Sequence, residues 1–122
     1  MFEYLAVPYS HPDPKTREYR FEMANKIAAK LMSEGRMIYS PISHCHPIAQ
    51  YGLPKDWEYW KKYDLLFLKM AKRLILVTLD GWRESKGIVK EMEIADFLNI
   101  PIAFFDPMLM EITFVMINVE KK

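Results

Sequence analysis

Six consecutive residues, Leu74-Ile75-Leu76-Val77-Thr78-Leu79, carry no charge and show no alternation of polar and apolar side chains. A run this short is a strand, and a strand with no polar side is covered on both faces. Such strands belong to parallel sheets with helices packed on either side. The rest of the chain reads consistently with that. Phe2 to Val7 is a second buried strand, stopped at Pro8. From Lys15 to Glu34 the period changes: Tyr19, Met23, Ile27 and Leu31 recur every four residues, and Gly35 closes a helix. Arg36 to Tyr39 is a short strand. A helix runs from Asp56, its N-cap, to Ala71, and another from near Ser85 to Leu98. Pro101 to Phe105 and Glu111 to Val119 are strands, with a charged tail from Glu120. Residues 40–56 hold Pro41, Pro47, Gly52 and Pro54 and predict a long loop. Structureless loops of more than about 12 residues are uncommon in compact domains and are functional or disordered. This one carries Ile42, Ile48 and Tyr51, too apolar for a disordered tether.

Right-handed crossovers turn this order into a doubly wound α/β domain over residues 1–122. The expected architecture is a flavodoxin- or Rossmann-like parallel sheet of four to five strands, order 2-1-3-4-5, with helices on both faces. In such a sheet a ligand sits at the carboxyl ends of the strands, where strands 1 and 3 diverge. The segments following Val7, Tyr39 and Leu79 then surround one crevice.

Composition narrows the partners. The net charge is +1, which removes a global argument for a nucleic-acid polymer or an anionic membrane. No apolar run approaches the roughly 20 residues of a membrane helix. The opening Phe2-Glu3-Tyr4 lacks a basic segment followed by an apolar one, so a cytoplasmic, reducing compartment is expected. One cysteine, Cys45, excludes an intramolecular disulfide and a cysteine-based zinc cluster. Trp57, Tyr59, Trp60, Phe67, Met70 and Phe97 exceed what one sheet face needs, which predicts a homo-oligomer, a two-fold dimer in the simplest case.

Two carboxylates interrupt apolar helical stripes. Ile88, Glu91, Met92, Ala95 and Leu98 share one face, and so do Trp60, Asp64, Phe67, Leu68 and Ala71. A carboxylate on a packed face is costly unless it is paired or functional. Glu91 could hydrogen-bond a core tyrosine such as Tyr4. Asp64 could pair with Arg17 or Arg20. The other possibility is a two-carboxylate site, one side chain acting as nucleophile and the other, its pKa raised by burial, delivering a proton. All three histidines, His11, His44 and His46, fall in the loops around the crevice. They have the residue types for a metal site; the expectation is substrate contact by at least one of them, His44 and His46 being the candidates, or plain loop structure, with no metal and no cofactor. Cys45 has a histidine on each side, which would lower its pKa.

These residues resemble a family. Tyr4-Leu5-Ala6-Val7-Pro8-Tyr9-Ser10 resembles the first strand and loop of the nucleoside 2-deoxyribosyltransferase-like superfamily. Asp64, shortly before the third strand, fits as well. Ser85-Lys86-Gly87-Ile88-Val89-Lys90-Glu91-Met92-Glu93-Ile94-Ala95 is similar to its serine-or-aspartate, glycine, glutamate and alanine motif. The loop Ser40-Pro41-Ile42-Ser43-His44-Cys45-His46 is similar to small phage and bacterial members. The resemblance spans roughly residues 2–106. It implies that Glu91 attacks C1′ of a nucleoside or nucleotide to form a covalent glycosyl ester. It further implies that Tyr4 orients Glu91 and that Asp64 assists departure of the base. Serine at position 85 resembles the branch that hydrolyses nucleoside 5′-monophosphates, aspartate the branch that takes free nucleosides. Ser85, Gly87 and the amides of a helix N-terminus suit a phosphate. Tyr9, Ser10, His44, His46, Asp80 and Trp82 are the further candidate substrate contacts, with Arg83 or Lys86 adding charge. The expected partner is a small-molecule nucleoside or nucleotide. A non-catalytic nucleotide sensor on the same fold is the alternative.

Overall fold

A computed structural model describes residues 1–116. Its elements are β1 (Glu3–Ala6), α1 (Pro14–Ser33), β2 (Ile38–Tyr39), α2 (Pro41–Ala49), α3 (Trp57–Leu68), β3 (Arg73–Val77), α4 (Lys86–Phe97), β4 (Ile102–Asp106) and β5 (Glu111–Met116), with a 3₁₀ turn at Trp82–Glu84. The sheet order is β2-β1-β3-β4-β5. The first four strands are parallel, and β5 runs antiparallel to β4. The expected α/β doubly wound sheet is therefore present, with one refinement at its edge. Residues 107–110 join β4 to β5. A connection this short cannot make the crossover a parallel strand needs, so the chain turns back as a hairpin. Asp106 organises the turn, its Oδ1 accepting from the Met108 amide at 2.8 Å. The part of the expected fifth strand beyond Met116 lies outside the described residues.

Strand parity divides the core. Leu5, Val7, Ile75, Val77, Ala103 and Phe105 face α1 and α2, where they pack on Ala24, Ile27, Leu31 and Ile42. Tyr4, Ala6, Leu74, Leu76 and Ile102 face α3 and α4, where they meet Leu68, Ile88 and Ala95. The alternation thus sends Tyr4 to the α4 side. At the amino ends of the strands, buried Glu3 is held by Arg36 and Arg73 at 2.8 and 2.9 Å. That ion cluster lies at the opposite end of the sheet from the strands' carboxyl ends.

The long loop expected over residues 40–56 is corrected. Pro41–Ala49 is a helix, and only residues 50–56 remain as connection. Pro41 sits in the first turn, where a missing N–H is no loss. Pro47 forfeits one helical hydrogen bond. Ile42, His46 and Ala49 are spaced i, i+4, i+7 and are all buried against the body of the protein. Packing of that face outweighs the lost bond, and the histidine in the middle disguised the stripe.

In α1 the buried face is Arg20, Ala24, Ile27, Ala28 and Leu31. Ile27 and Leu31 of the expected stripe are buried; in the first half of the helix the face lies one residue over, on Arg20 and Ala24, and Tyr19 is 56 % exposed. The small alanines let the helix lie close to the sheet.

Candidate active site

α4 begins at Ser85, whose hydroxyl oxygen accepts from the Ile88 amide at 3.3 Å, as an N-cap should. Two turns in, Glu91 lies on the packed face and is 5 % exposed. Tyr4, fully buried on β1, donates its hydroxyl to Glu91 Oε2. The tyrosine–glutamate contact considered from the sequence is therefore formed. Leu98, the last expected member of the stripe, is 40 % exposed because the helix ends one residue earlier.

Glu91 opens onto a pocket of about 60 Å³. One wall is the chain after β1, with Tyr9 and Ser10; a second is α2, with Cys45 and His46. A third is α3, which presents Trp57, Trp60 and Asp64; the fourth is α4, with Ser85, Gly87 and Glu91. The pocket continues into an outer cleft of about 500 Å³. Ser10, Asp56, Trp57, Ser85 and Gly87 line both. The outer cleft carries charges of both signs, Lys55 and Lys86 against Asp56, Glu58 and Glu84.

Gly87 sets the shape of the junction. A Cβ there would lie 3.2 Å from Cε3 of Trp57, so the absent side chain admits the indole against the first turn of α4. Trp57 and Trp60, grouped from the sequence with residues for an oligomer interface, both line the pocket, and the Trp60 indole N–H donates to the Pro54 carbonyl at 2.8 Å.

Asp64 is mostly buried, and its Oδ1 has no hydrogen-bond partner among the described residues. The alternative of an ion pair with Arg17 or Arg20 does not hold. Arg17 donates to the carbonyls of His11 and Pro12. Arg20 is 8 % exposed and donates to the carbonyls of Ser10 at 3.1 Å and Asp80 at 3.2 Å. It ties the segment after β1 to the segment after β3, a role no sequence pattern announced. Gly81, at φ +89°, passes so close that a Cβ would lie 2.6 Å from the guanidinium.

Burial governs the ionisation of the site. Desolvation pushes Asp64 up to about 7. It pushes Glu91 up to about 8, opposed by the Tyr4 hydrogen bond and reinforced by the Asp64 charge. Tyr4 itself is raised well above the usual phenol range, by burial first and the two carboxylates next. Cys45 goes against the sequence expectation. Burial and the Asp64 charge push its thiol up to about 12. Of its neighbours in sequence, His44 is exposed and the His46 ring nitrogens are engaged by Tyr9 and Glu18.

The remaining candidates separate into two groups. Tyr9, Ser10, His46, Ser85 and Gly87 line the pocket with Glu91 and Asp64. His44, Asp80 and Trp82 do not. His44 lies on the solvent side of α2, and Asp80 is exposed. Trp82 packs edge-on against Phe104 and carries Arg83 over its ring. His11 is exposed, its Nδ1 accepting from the Asp13 amide at 3.0 Å. Among the described residues no three His, Cys, Asp or Glu side chains gather as a metal site would require. No helix among them is long and apolar enough to cross a membrane.

The mostly parallel 2-1-3-4-5 sheet with helices on both faces is an α/β Rossmann-like fold, and its pocket holds a tyrosine-bound glutamate and a second buried carboxyl. The solved structure of a 2-deoxyribosyltransferase from the psychrotolerant bacterium Bacillus psychrosaccharolyticus is similar to this chain, with a TM-score of 0.58 and 22 % identity. The similarity covers 88 % of this chain and 73 % of that one. The chain belongs to the family described as "Domain of unknown function (DUF1937)", which matches residues 2–106. No curated protein matches it.

Proposed function

We propose that this protein cleaves or transfers the N-glycosidic bond of a (deoxy)nucleoside 5′-monophosphate through a covalent glycosyl–Glu91 intermediate. The observation that carries the reading is the Tyr4–Glu91 pair opening onto a pocket shared with an unpartnered, mostly buried Asp64. A carboxylate fixed by one hydrogen bond keeps a free oxygen for attack at C1′. A carboxyl that burial holds protonated near neutrality can give its proton to the departing base. Asp64 Oδ1, lacking a partner among the described residues, is free to meet a base nitrogen.

Burial raises both carboxyls toward neutrality, and the charge on Asp64 raises Glu91 further, so the two compete for protons. The reactive arrangement has the anion on Glu91 and the proton on Asp64. A base nitrogen accepting from Asp64 stabilises the proton there and selects that form. Bound substrate thereby assembles the reactive state.

The pocket is too small for a whole nucleotide, so the sugar's anomeric carbon enters it and the remainder lies in the outer cleft. At the junction, the first amides of α4 and the Ser85 hydroxyl face the position a 5′-phosphate would take. The hydroxyl oxygen accepts from Ile88, which leaves its hydrogen free to donate. Lys86 adds charge at the same end.

The test is base release from a panel of nucleoside and deoxynucleoside 5′-monophosphates, with Glu91→Gln as control. The variant keeps the side-chain shape and loses the anion. It is expected to release no base and form no ester, while nucleotide binding by calorimetry stays within a few-fold. Base release by Glu91→Gln at the wild-type rate refutes the nucleophile. Binding of the panel with no turnover by the wild type points to a nucleotide sensor.

A further inference from the structure

We propose that Glu18, His46 and Tyr9 form a proton relay that activates water against the glycosyl–Glu91 ester, making the enzyme a hydrolase; this rests on the reading of Glu91 as nucleophile. His46 is 7 % exposed, an unusual burial for an imidazole. It stacks on Phe21 with ring centroids 4.4 Å apart. Its Nε2 lies 2.8 Å from Glu18 Oε2, and its Nδ1 lies 2.5 Å from the Tyr9 hydroxyl. Gln50 contributes a long contact to Nδ1 at 3.4 Å and holds the His46 carbonyl at 2.8 Å.

With the imidazole neutral, these partners fix the direction of every proton. A carboxylate only accepts, so the imidazole proton shared with Glu18 sits on Nε2. Nδ1 is then an acceptor, and the Tyr9 hydroxyl donates to it. Tyr9 has one proton, and it is committed to His46. Toward the pocket, which Tyr9 and His46 line together with Glu91, the phenol oxygen therefore offers only lone pairs. It receives a proton-bearing group and cannot serve as a donor to the sugar or the base. The chain carboxylate–imidazole–hydroxyl has the order of a general-base triad, with an acceptor oxygen at the reacting end. The Glu18 side chain is 57 % exposed, so the outer end of the relay reaches solvent.

The step balances as follows. The water oxygen attacks C1′ of the ester. The bond from C1′ to the Glu91 oxygen breaks, and its electron pair returns to the Glu91 carboxylate. One water proton passes to the Tyr9 oxygen as the Tyr9 proton moves to His46 Nδ1. The resulting imidazolium is held by Glu18 and loses its Nδ1 proton back through Tyr9 to solvent or product after the sugar leaves. No oxidant or further reactant is required. Asp64 stands on a different wall, α3, and remains available to the base.

Wild type, Tyr9→Phe and His46→Gln are to be mixed with the four deoxynucleoside 5′-monophosphates, following base release by rapid quench and the intact chain by mass spectrometry. His46→Gln retains an oxygen that can accept from Tyr9 but cannot take up its proton, which separates relay from packing. Both variants are expected to keep a burst of about one base per chain, with steady turnover reduced about 10²-fold. The chain should gain the mass of one deoxyribose phosphate. Azide, a nucleophile with no proton to lose, should restore turnover in both. A wild-type burst with no burst and no mass gain in the variants overturns the relay and leaves the Glu91 reading standing. Variants with undiminished steady turnover overturn it equally. A wild type that releases no base overturns both.

Discussion

Tyr4→Phe removes one oxygen from the floor of the site, and the consequence can be worked out as a function of pH. The hydroxyl donates to Glu91 Oε2 in a position fully shielded from water, so it stabilises the anionic form of the glutamate. Hydrogen bonds to charged groups contribute about 1.5–3 kcal/mol. At about 1.4 kcal/mol per unit, the loss moves the Glu91 pKa upward by roughly 1–2 units from its position near 8. The phenol of Tyr4, raised well above its usual range, remains a neutral donor throughout the accessible pH scale. Below pH 8 the fraction of Glu91 that is ionised therefore drops by the full displacement, roughly 10- to 100-fold. Well above the new pKa both proteins are ionised and the difference closes. The assay is kcat/KM for base release from a deoxynucleoside 5′-monophosphate between pH 5.5 and 9.5, wild type against variant. The ratio should be flat at acid pH, begin to fall near pH 8 and approach unity as the pH climbs. A loss that is the same at every pH would show that Tyr4 acts through geometry and would refute the ionisation argument. No loss at any pH would remove Tyr4 from the site.

Ser85→Asp keeps a side chain able to cap α4 but sets a negative charge against the place assigned to the phosphate, so the preference for a 5′-monophosphate over the matching nucleoside should fall at least tenfold in kcat/KM; an unchanged preference ends the phosphate assignment. Asp64 is protonated in the folded chain up to about pH 7 but, with an ordinary value of 3.8, loses its proton much earlier when unfolded. Its contribution is thus complete below pH 4 and lost as pH rises through 7, so Asp64→Asn should match wild type in urea melts at pH 4 and exceed it at pH 8 by about 2–4 kcal/mol, with equal pH slopes as the refuting result. Phe97 and Met70 remain 80 % and 50 % exposed at the ends of α4 and α3, and a dimer that covers them is expected by light scattering at micromolar concentration; a monomer there contradicts it.

How far the sequence carried depended on whether a residue's environment left a mark on its neighbours. β3 was legible because a strand covered on both faces must be apolar at every position. Glu91 was legible for the opposite reason, since a charge inside an apolar stripe marks itself, and the Ser85 cap and Gly87 fixed where its helix began. α2 was not legible. Its buried face passes through His46, so hydropathy broke the period, and Pro41 and Pro47 read as punctuation although one of them belongs in a first turn. Arg20 failed in a related way. It replaces an apolar residue on the packed face of α1, and the eye moves one position over to Tyr19 and Met23, which are more hydrophobic and less buried. The direction of β5 is absent from any periodicity and follows only from the length of its connection.

These misses have a common physical origin. Arg20 and His46 are buried polar groups whose partners are far apart in sequence: Ser10 and Asp80 carbonyls for one, Tyr9 and Glu18 for the other. A buried polar group is tolerated only when the fold supplies its hydrogen bonds, so its reason for being there exists only in three dimensions. The same holds for the pair at the centre of the site. Glu91 was conspicuous, but the proposed reactivity rests on the Tyr4 donor beneath it and on Asp64, which has an oxygen without a partner among the described residues. Here the two kinds of residue meet on one surface. Arg20 ties down the segment that carries Tyr9 and Ser10, and His46 takes the Tyr9 proton. The proposed chemistry of the carboxylates requires that segment to be held where these two hold it. A substitution at Arg20 should therefore loosen the pocket's first wall and impair turnover more than the loss of two surface hydrogen bonds would suggest.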